Sequence, residues 1–121
     1  MIDEEWIYEK KQPVGAKLHS LKVDNKGNPA FVGADNKIYW KMNGKKWQKI
    51  KTKGTVQDFA FTQEGNMNYM HTVGKIGILS SFNGTATKTL TKSKMIIKYD
   101  SMGVDSKGNI WTIFRKQVAM L

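Results

Sequence analysis

Short apolar alternations recur along the chain, each followed by a polar turn. Leu21 and Val23 precede Asp-Asn-Lys-Gly-Asn, Phe59 and Phe61 precede Thr-Gln-Glu-Gly-Asn, and Met102 and Val104 precede Asp-Ser-Lys-Gly-Asn. A period of two is the signature of a half-buried strand, and a glycine-bearing polar cluster after it is a turn. Further short runs follow each turn. In the first unit they are PAFV, KIYWKM and KWQKIK, the last two joined by Asn43-Gly44; in the second they are NYMH, KIGILSS and TKTL, with Asn83-Gly84 before the last. Asn-Gly between two such runs is a hairpin signal. No long segment carries a 3.6-residue period, and no capping box opens one, so helices are not expected.

The three turns mark a repeat. Gly27, Gly65 and Gly108 stand 38 and 43 residues apart, each followed by asparagine (Asn28, Asn66, Asn109). Four antiparallel strands in about 40 residues is the pattern of a β-propeller blade. The fold predicted is therefore all-β, with three blades per chain. Residues 19–54 form blade 1 and residues 55–94 blade 2. Residues 95–121 form blade 3 without its outer strand, and residues 1–18 hold a spare outer strand. That spare strand is EEWIYEK, which matches KKWQKIK with Trp6 over Trp47. Three blades do not close a ring, since propellers hold about 4–8. A head-to-tail homodimer with swapped N-terminal strands is expected to give six.

The stretch from residue 43 to 70 resembles a tectonin repeat. The matching positions are Trp47 in the outer strand, a polar turn, Asp58-Phe59-Ala60-Phe61 in the inner strand, then Gly65 and Met67 to Met70. Trp6 shares the tryptophan position and Thr87 departs from it; Ser20 and Ser101 replace the acidic residue. The Asp105 to Trp111 segment is shared with other propeller families. The resemblance implies a lectin-like propeller that binds carbohydrate or bacterial surface glycans multivalently.

Aromatic rings beside amides or carboxylates are what a sugar site requires. Trp111 aligns with Ala30 and Asn68, so it stands where its copies are small or polar. His71 aligns with Gly33 and Phe114. The carbohydrate contacts expected are Trp111 and Trp40, with Asn68, His71 and Arg115, in grooves between blades. Trp40 and Trp111 are equally readable as core residues. Trp6 and Trp47 read as structural stacking, while Phe31 with Tyr69, and Ile38 with Ile76 and Val118, read as core.

Charge adds a second reading. The net charge is +10, carried by lysines with Arg115 as the only arginine. Specific nucleic-acid readers rely on the guanidinium fork, so sequence-specific nucleic-acid binding is not expected. Lys45, Lys46, Lys49, Lys51 and Lys53 are dense enough to form a patch. They are either a solvated face or a contact for an acidic protein partner or polyanion. Catalysis is not expected: there are two histidines, no cysteine, no metal-ligand spacing and no paired carboxylates outside the acidic N-terminus. No cofactor is implied. No apolar run approaches the roughly 20 residues of a membrane span. The N-terminus lacks the pattern of a signal peptide, so a cytoplasmic location is expected.

Overall fold

A computed structural model describes Trp6 and residues 17–93, 99–114 and 116–121. Every regular element in them is a β-strand. The first sheet holds β1 (His19–Val23), β2 (Pro29–Val32), β3 (Ile38–Trp40) and β4 (Gln48–Lys49), in that order and antiparallel. The second holds β5 (Thr55–Phe61), β6 (Met67–Val73), β7 (Ile76–Phe82) and β8 (Thr87–Ser93). The third holds β9 (Tyr99–Val104), β10 (Ile110–Phe114) and β11 (Gln117–Met120). The spare N-terminal strand and Arg115 lie outside the described residues; Trp6 itself is exposed.

One turn joins the first two strands of every sheet. In sheet 1 the Asp24 amide donates to Asn28 O and the Gly27 amide to Asp24 O. The same two bonds recur at Thr62–Asn66 and at Asp105–Asn109. Gly27, Gly65 and Gly108 have φ of 84°, 89° and 83°, the left-handed region in which a Cβ is strained. The side chain opening each turn accepts the amide four residues on: Asp24 from Asn28 at 2.8 Å, Thr62 from Asn66 at 3.1 Å, Asp105 from Asn109 at 2.9 Å. Threonine retains the one acceptor that the turn needs, so the diverged middle copy keeps the same geometry.

The sheets stack in a row with sheet 2 in the middle. β5 packs on β1 and β2, and β9 packs on β5. Ala30, Val32, Ile38 and Trp40 of sheet 1, with Ile50 just after it, meet Val56, Phe59, Met67 and Tyr69 of sheet 2. Ala60, Met70 and Leu79 of sheet 2 meet Met102 of sheet 3, flanked by Val104 and Ile110. Polar bonds cross both junctions. The Val56 amide donates to Asn36 O at 3.0 Å. The Met102 amide donates to Asp58 Oδ2 at 2.7 Å, with Asp58 buried.

Two expected core positions need correction. Ile76 is not the counterpart of Ile38. The β6–β7 hairpin extends farther, to Val73 and Ile76, so Leu79 occupies the place of Ile38: it pairs with Met70 as Ile38 pairs with Val32. Leu79 is buried and Ile76 half-exposed. Val118 does occupy that place in sheet 3, pairing with Ile113. It is nevertheless 73% exposed, because no further sheet of the described residues covers it.

Candidate functional site

The two aspartate turns each bind an indole. Trp40 Nε1 donates to Asp24 Oδ2 at 3.0 Å, and Trp111 Nε1 donates to Asp105 Oδ2 at 3.0 Å. The rings reach their aspartates from different strands. Trp40 lies on β3 opposite Ala30, whereas Trp111 lies on β10 opposite Met120. The tryptophan has thus changed strand between the copies, with Met120 rather than a small residue opposite it, and one hydrogen bond is kept. The bond from Trp111, with the Asn109 and Lys107 amides, holds the Asp105 carboxyl down at about 2.

These tryptophans differ in exposure. Trp40 is 4% exposed and packs against Phe61 and Phe82, with ring centroids 5.0 and 6.2 Å away. Trp111 is 39% exposed. It borders a shallow cavity of about 270 Å³ with Ser101, Gly103, Ile113 and Val118. Asn68 and His71 are buried in β6. Trp40, Asn68 and His71 therefore do not open onto an inter-blade groove, because the packing of sheets 1 and 2 and of β6 on its neighbours encloses them. Trp47, as expected of a stacking residue, sits edge-on to Phe31 at 5.0 Å, with Lys41 Nζ 5.9 Å above its ring.

His71 is held from both sides. Nδ1 lies 2.7 Å from Lys53 O, and Nε2 lies 2.9 Å from Ser80 Oγ. A carbonyl only accepts, so Nδ1 carries the proton and Nε2 accepts from the Ser80 hydroxyl. Burial pushes the imidazole pKa down, with Lys37 and Lys53 adding to that, against the Lys53 carbonyl bond. Ser80 is buried as well, so the pair ties β6, β7 and the 50–54 segment together rather than facing substrate.

A second polar cluster was not visible in the repeat pattern. Tyr39 Oη donates to Asp35 Oδ2 at 2.6 Å, and Lys49 Nζ lies 3.3 Å from the same oxygen. Burial and the Asp35 carboxylate raise the Tyr39 phenol to about 12. Burial alone would raise the Asp35 carboxyl too. The bonds from Tyr39, the Lys37 amide and Lys49, with the Lys49 charge, outweigh that and lower it.

Two surfaces are accessible. A depression of about 300 Å³ is lined by three equivalent triplets: Val23-Asp24-Asn25, Phe61-Thr62-Gln63 and Val104-Asp105-Ser106. The two carboxylates there already accept from their own turn amides and indoles. The neutral groups Asn25, Gln63 and Ser106 follow them at the same repeat position; aligning the three turns exposes this set directly. Among the described residues no group of three or more His, Asp or Glu is placed to hold a metal ion. The other surface is the outer edge of sheet 1, where β4 is the edge strand. Lys45, Lys46 and Lys49 are exposed on this edge strand and the turn before it, Lys51 and Lys53 are exposed on the segment that leads from it to β5, and Lys88 and Lys92 are exposed on β8, the edge strand of sheet 2.

Solved structures share this arrangement of sheets. The chain superposes on virginiamycin B lyase from Staphylococcus aureus with a TM-score of 0.68, over 94% of this chain and 40% of that one, at 7% identity. It superposes on a luciferin-regenerating enzyme with a TM-score of 0.62, over 87% of this chain and 42% of that one, at 16% identity. The fold is that of a β-propeller. The chain spans about two fifths of the length of either propeller. At such identities the likeness carries the fold and not the chemistry of the two enzymes. No family model matches the chain, and no curated protein sequence does.

Proposed function

We propose that this chain is a non-catalytic propeller recognition module whose lysine-rich edge engages an acidic protein partner. The observation that carries the reading is the exposure of all five lysines between Lys45 and Lys53, on β4 and the segments that flank it. Lys88 and Lys92 extend the positive field to the adjacent edge. Lysine heads on flexible stems suit an extended acidic segment, which needs a field more than a fixed fork. Lys49 is shared with Asp35, so Lys45, Lys46, Lys51 and Lys53 contribute more of that field.

Changing Lys45, Lys46 and Lys51 together to Glu tests the reading. Binding of poly-L-glutamate by the variant is expected to be lost, with the melting temperature within a few degrees of the parent, because exposed charges contribute little to stability. Undiminished binding by the variant would overturn it.

The carbohydrate reading has one place that favours it, and it is not the tryptophans. The depression at the three turns puts the Phe61 ring and the groups of Asn25, Gln63 and Ser106 around one opening. A neutral glycan is recognised by such a mix of apolar face and amides. Asn25→Ala with Gln63→Ala is expected to remove any glycan signal on an array while leaving poly-L-glutamate binding intact; an unchanged glycan signal would exclude this site.

A further inference from the structure

We infer that the open face of sheet 3 docks on β1 of a second copy of this chain, repeating head-to-tail the junction that sheets 1 and 2 already make. This inference does not depend on the acidic-partner reading, nor on the swapped N-terminal strand.

The repeat identifies what covers each face. In sheet 1 the forward face is Ala30, Val32, Ile38 and Trp40, all buried against Phe59 and Phe61 of β5. The same ladder positions in sheet 3 are Trp111, Ile113, Val118 and Met120, apolar throughout. There they are exposed, Met120 by 54%. The positions equivalent to Phe59 and Phe61 in sheet 1 are Leu21 and Val23, 68% and 58% exposed. Exposed apolar clusters of this kind mark interaction surfaces. The chain thus carries, uncovered, both halves of one more junction. They lie on opposite sides of sheet 2 and are joined between chains.

The volumes compensate. At the built junction a small Ala30 faces two phenylalanines; at the open one Trp111 replaces Ala30, while Leu21 and Val23 replace the rings. Trp111 is fixed by Asp105, so it enters the contact with its N–H satisfied. The nearest ring pair across the built junction, Trp40 and Phe61 at 5.0 Å, places Met120 of one copy against Val23 of the next. A head-to-tail contact closes when its rotation allows. Two copies bring six sheets together, within the range that propellers occupy.

Light scattering after size exclusion, on the 121-residue chain, tests this. The expected mass is twice 13.8 kDa, constant with concentration. Met120→Glu and Val23→Lys are each expected to give a folded monomer, since each places one charge in the contact. Both substitutions in one chain are expected to restore the dimer, by pairing the two charges across it. A folded monomeric parent would overturn the inference, its faces then belonging to further repeats of a longer polypeptide. Open-ended growth with concentration, or a Val23→Lys chain that stays dimeric through its sheet 3 face alone, would overturn it too.

Discussion

Trp111 donates its indole N–H to Asp105 Oδ2 at 3.0 Å, which makes the most exposed ring of the expected sugar site a part of its own repeat turn. The bond is the largest influence on the Asp105 carboxyl, held at about 2 instead of 3.8. Trp111→Phe is expected to raise the Asp105 midpoint toward 3.8, read by carbon NMR of the carboxyl. In the parent, the stability from this depressed carboxyl is complete above 3.8 and is lost as pH falls toward 2. An unchanged midpoint in the variant would show that the amides of Lys107 and Asn109 suffice.

Asp24 makes the same amide and indole hydrogen bonds in a buried setting. It accepts from the Lys26 and Asn28 amides and from buried Trp40. Asp24→Ala leaves three donors without that acceptor and is expected to cost about 3 kcal/mol or more in denaturant unfolding. Asp24→Thr copies the middle repeat, keeps the bond to Asn28, and is expected to cost less.

The repeat and its strands were legible because each turn needs a left-handed glycine and an acceptor at fixed positions, which leaves a trace in sequence. Thr62 in place of aspartate did not hide it. Hairpin length left a weaker trace: the extended β6–β7 ladder moved the counterpart of Ile38 from Ile76 to Leu79, a shift that fixed alignment on the glycines misses. The candidate site was less legible. Trp40, Asn68 and His71 have the chemistry of a ligand site, but burial depends on which sheet covers them, and only packing decides that. For Trp111 the small or polar counterparts Ala30 and Asn68 left core and exposed readings equal, and the uncovered face of sheet 3 leaves it 39% exposed. The lysine cluster was visible as composition; that all five residues stay exposed in the fold was not.

His71 predicts an acid-sensitive stability. Its pKa lies below 6.5 in the fold, so the folded state binds the proton less readily than the unfolded one. The contribution is whole above 6.5 and declines as pH falls from there through the folded value. Chemical unfolding between pH 7 and 5 is expected to show a shallower loss for His71→Gln than for the parent. Parallel curves would refute it. Ser80→Ala, which strips the buried Nε2 of its donor, is expected to cost roughly 1–3 kcal/mol.

Gly54 packs its main chain against Thr72 of β6, leaving no room for a side chain. It has φ of 66°, and a Cβ there would stand 1.9 Å from Thr72 O. Gly108, at φ 83°, has nothing within 4 Å of such a Cβ. Gly108→Ala is expected to cost roughly 1–2 kcal/mol of backbone strain. Gly54→Ala adds a collision with main chain and is expected to exceed that clearly in thermal unfolding. Equal melting temperatures for the two variants would contradict this packing.

The salt dependence of partner binding tests the recognition reading most directly. Poly-L-glutamate is titrated at 0.05 and 0.5 M sodium chloride, with a neutral glycan array probed at both. Binding through exposed lysine heads is screened within a few ångströms at high salt, so affinity for poly-L-glutamate is expected to fall by roughly tenfold or more, with no glycan retained at either salt. Absent or salt-independent binding to poly-L-glutamate, together with a glycan signal that persists at 0.5 M, would contradict the acidic-partner reading and return the function to the depression at the three turns.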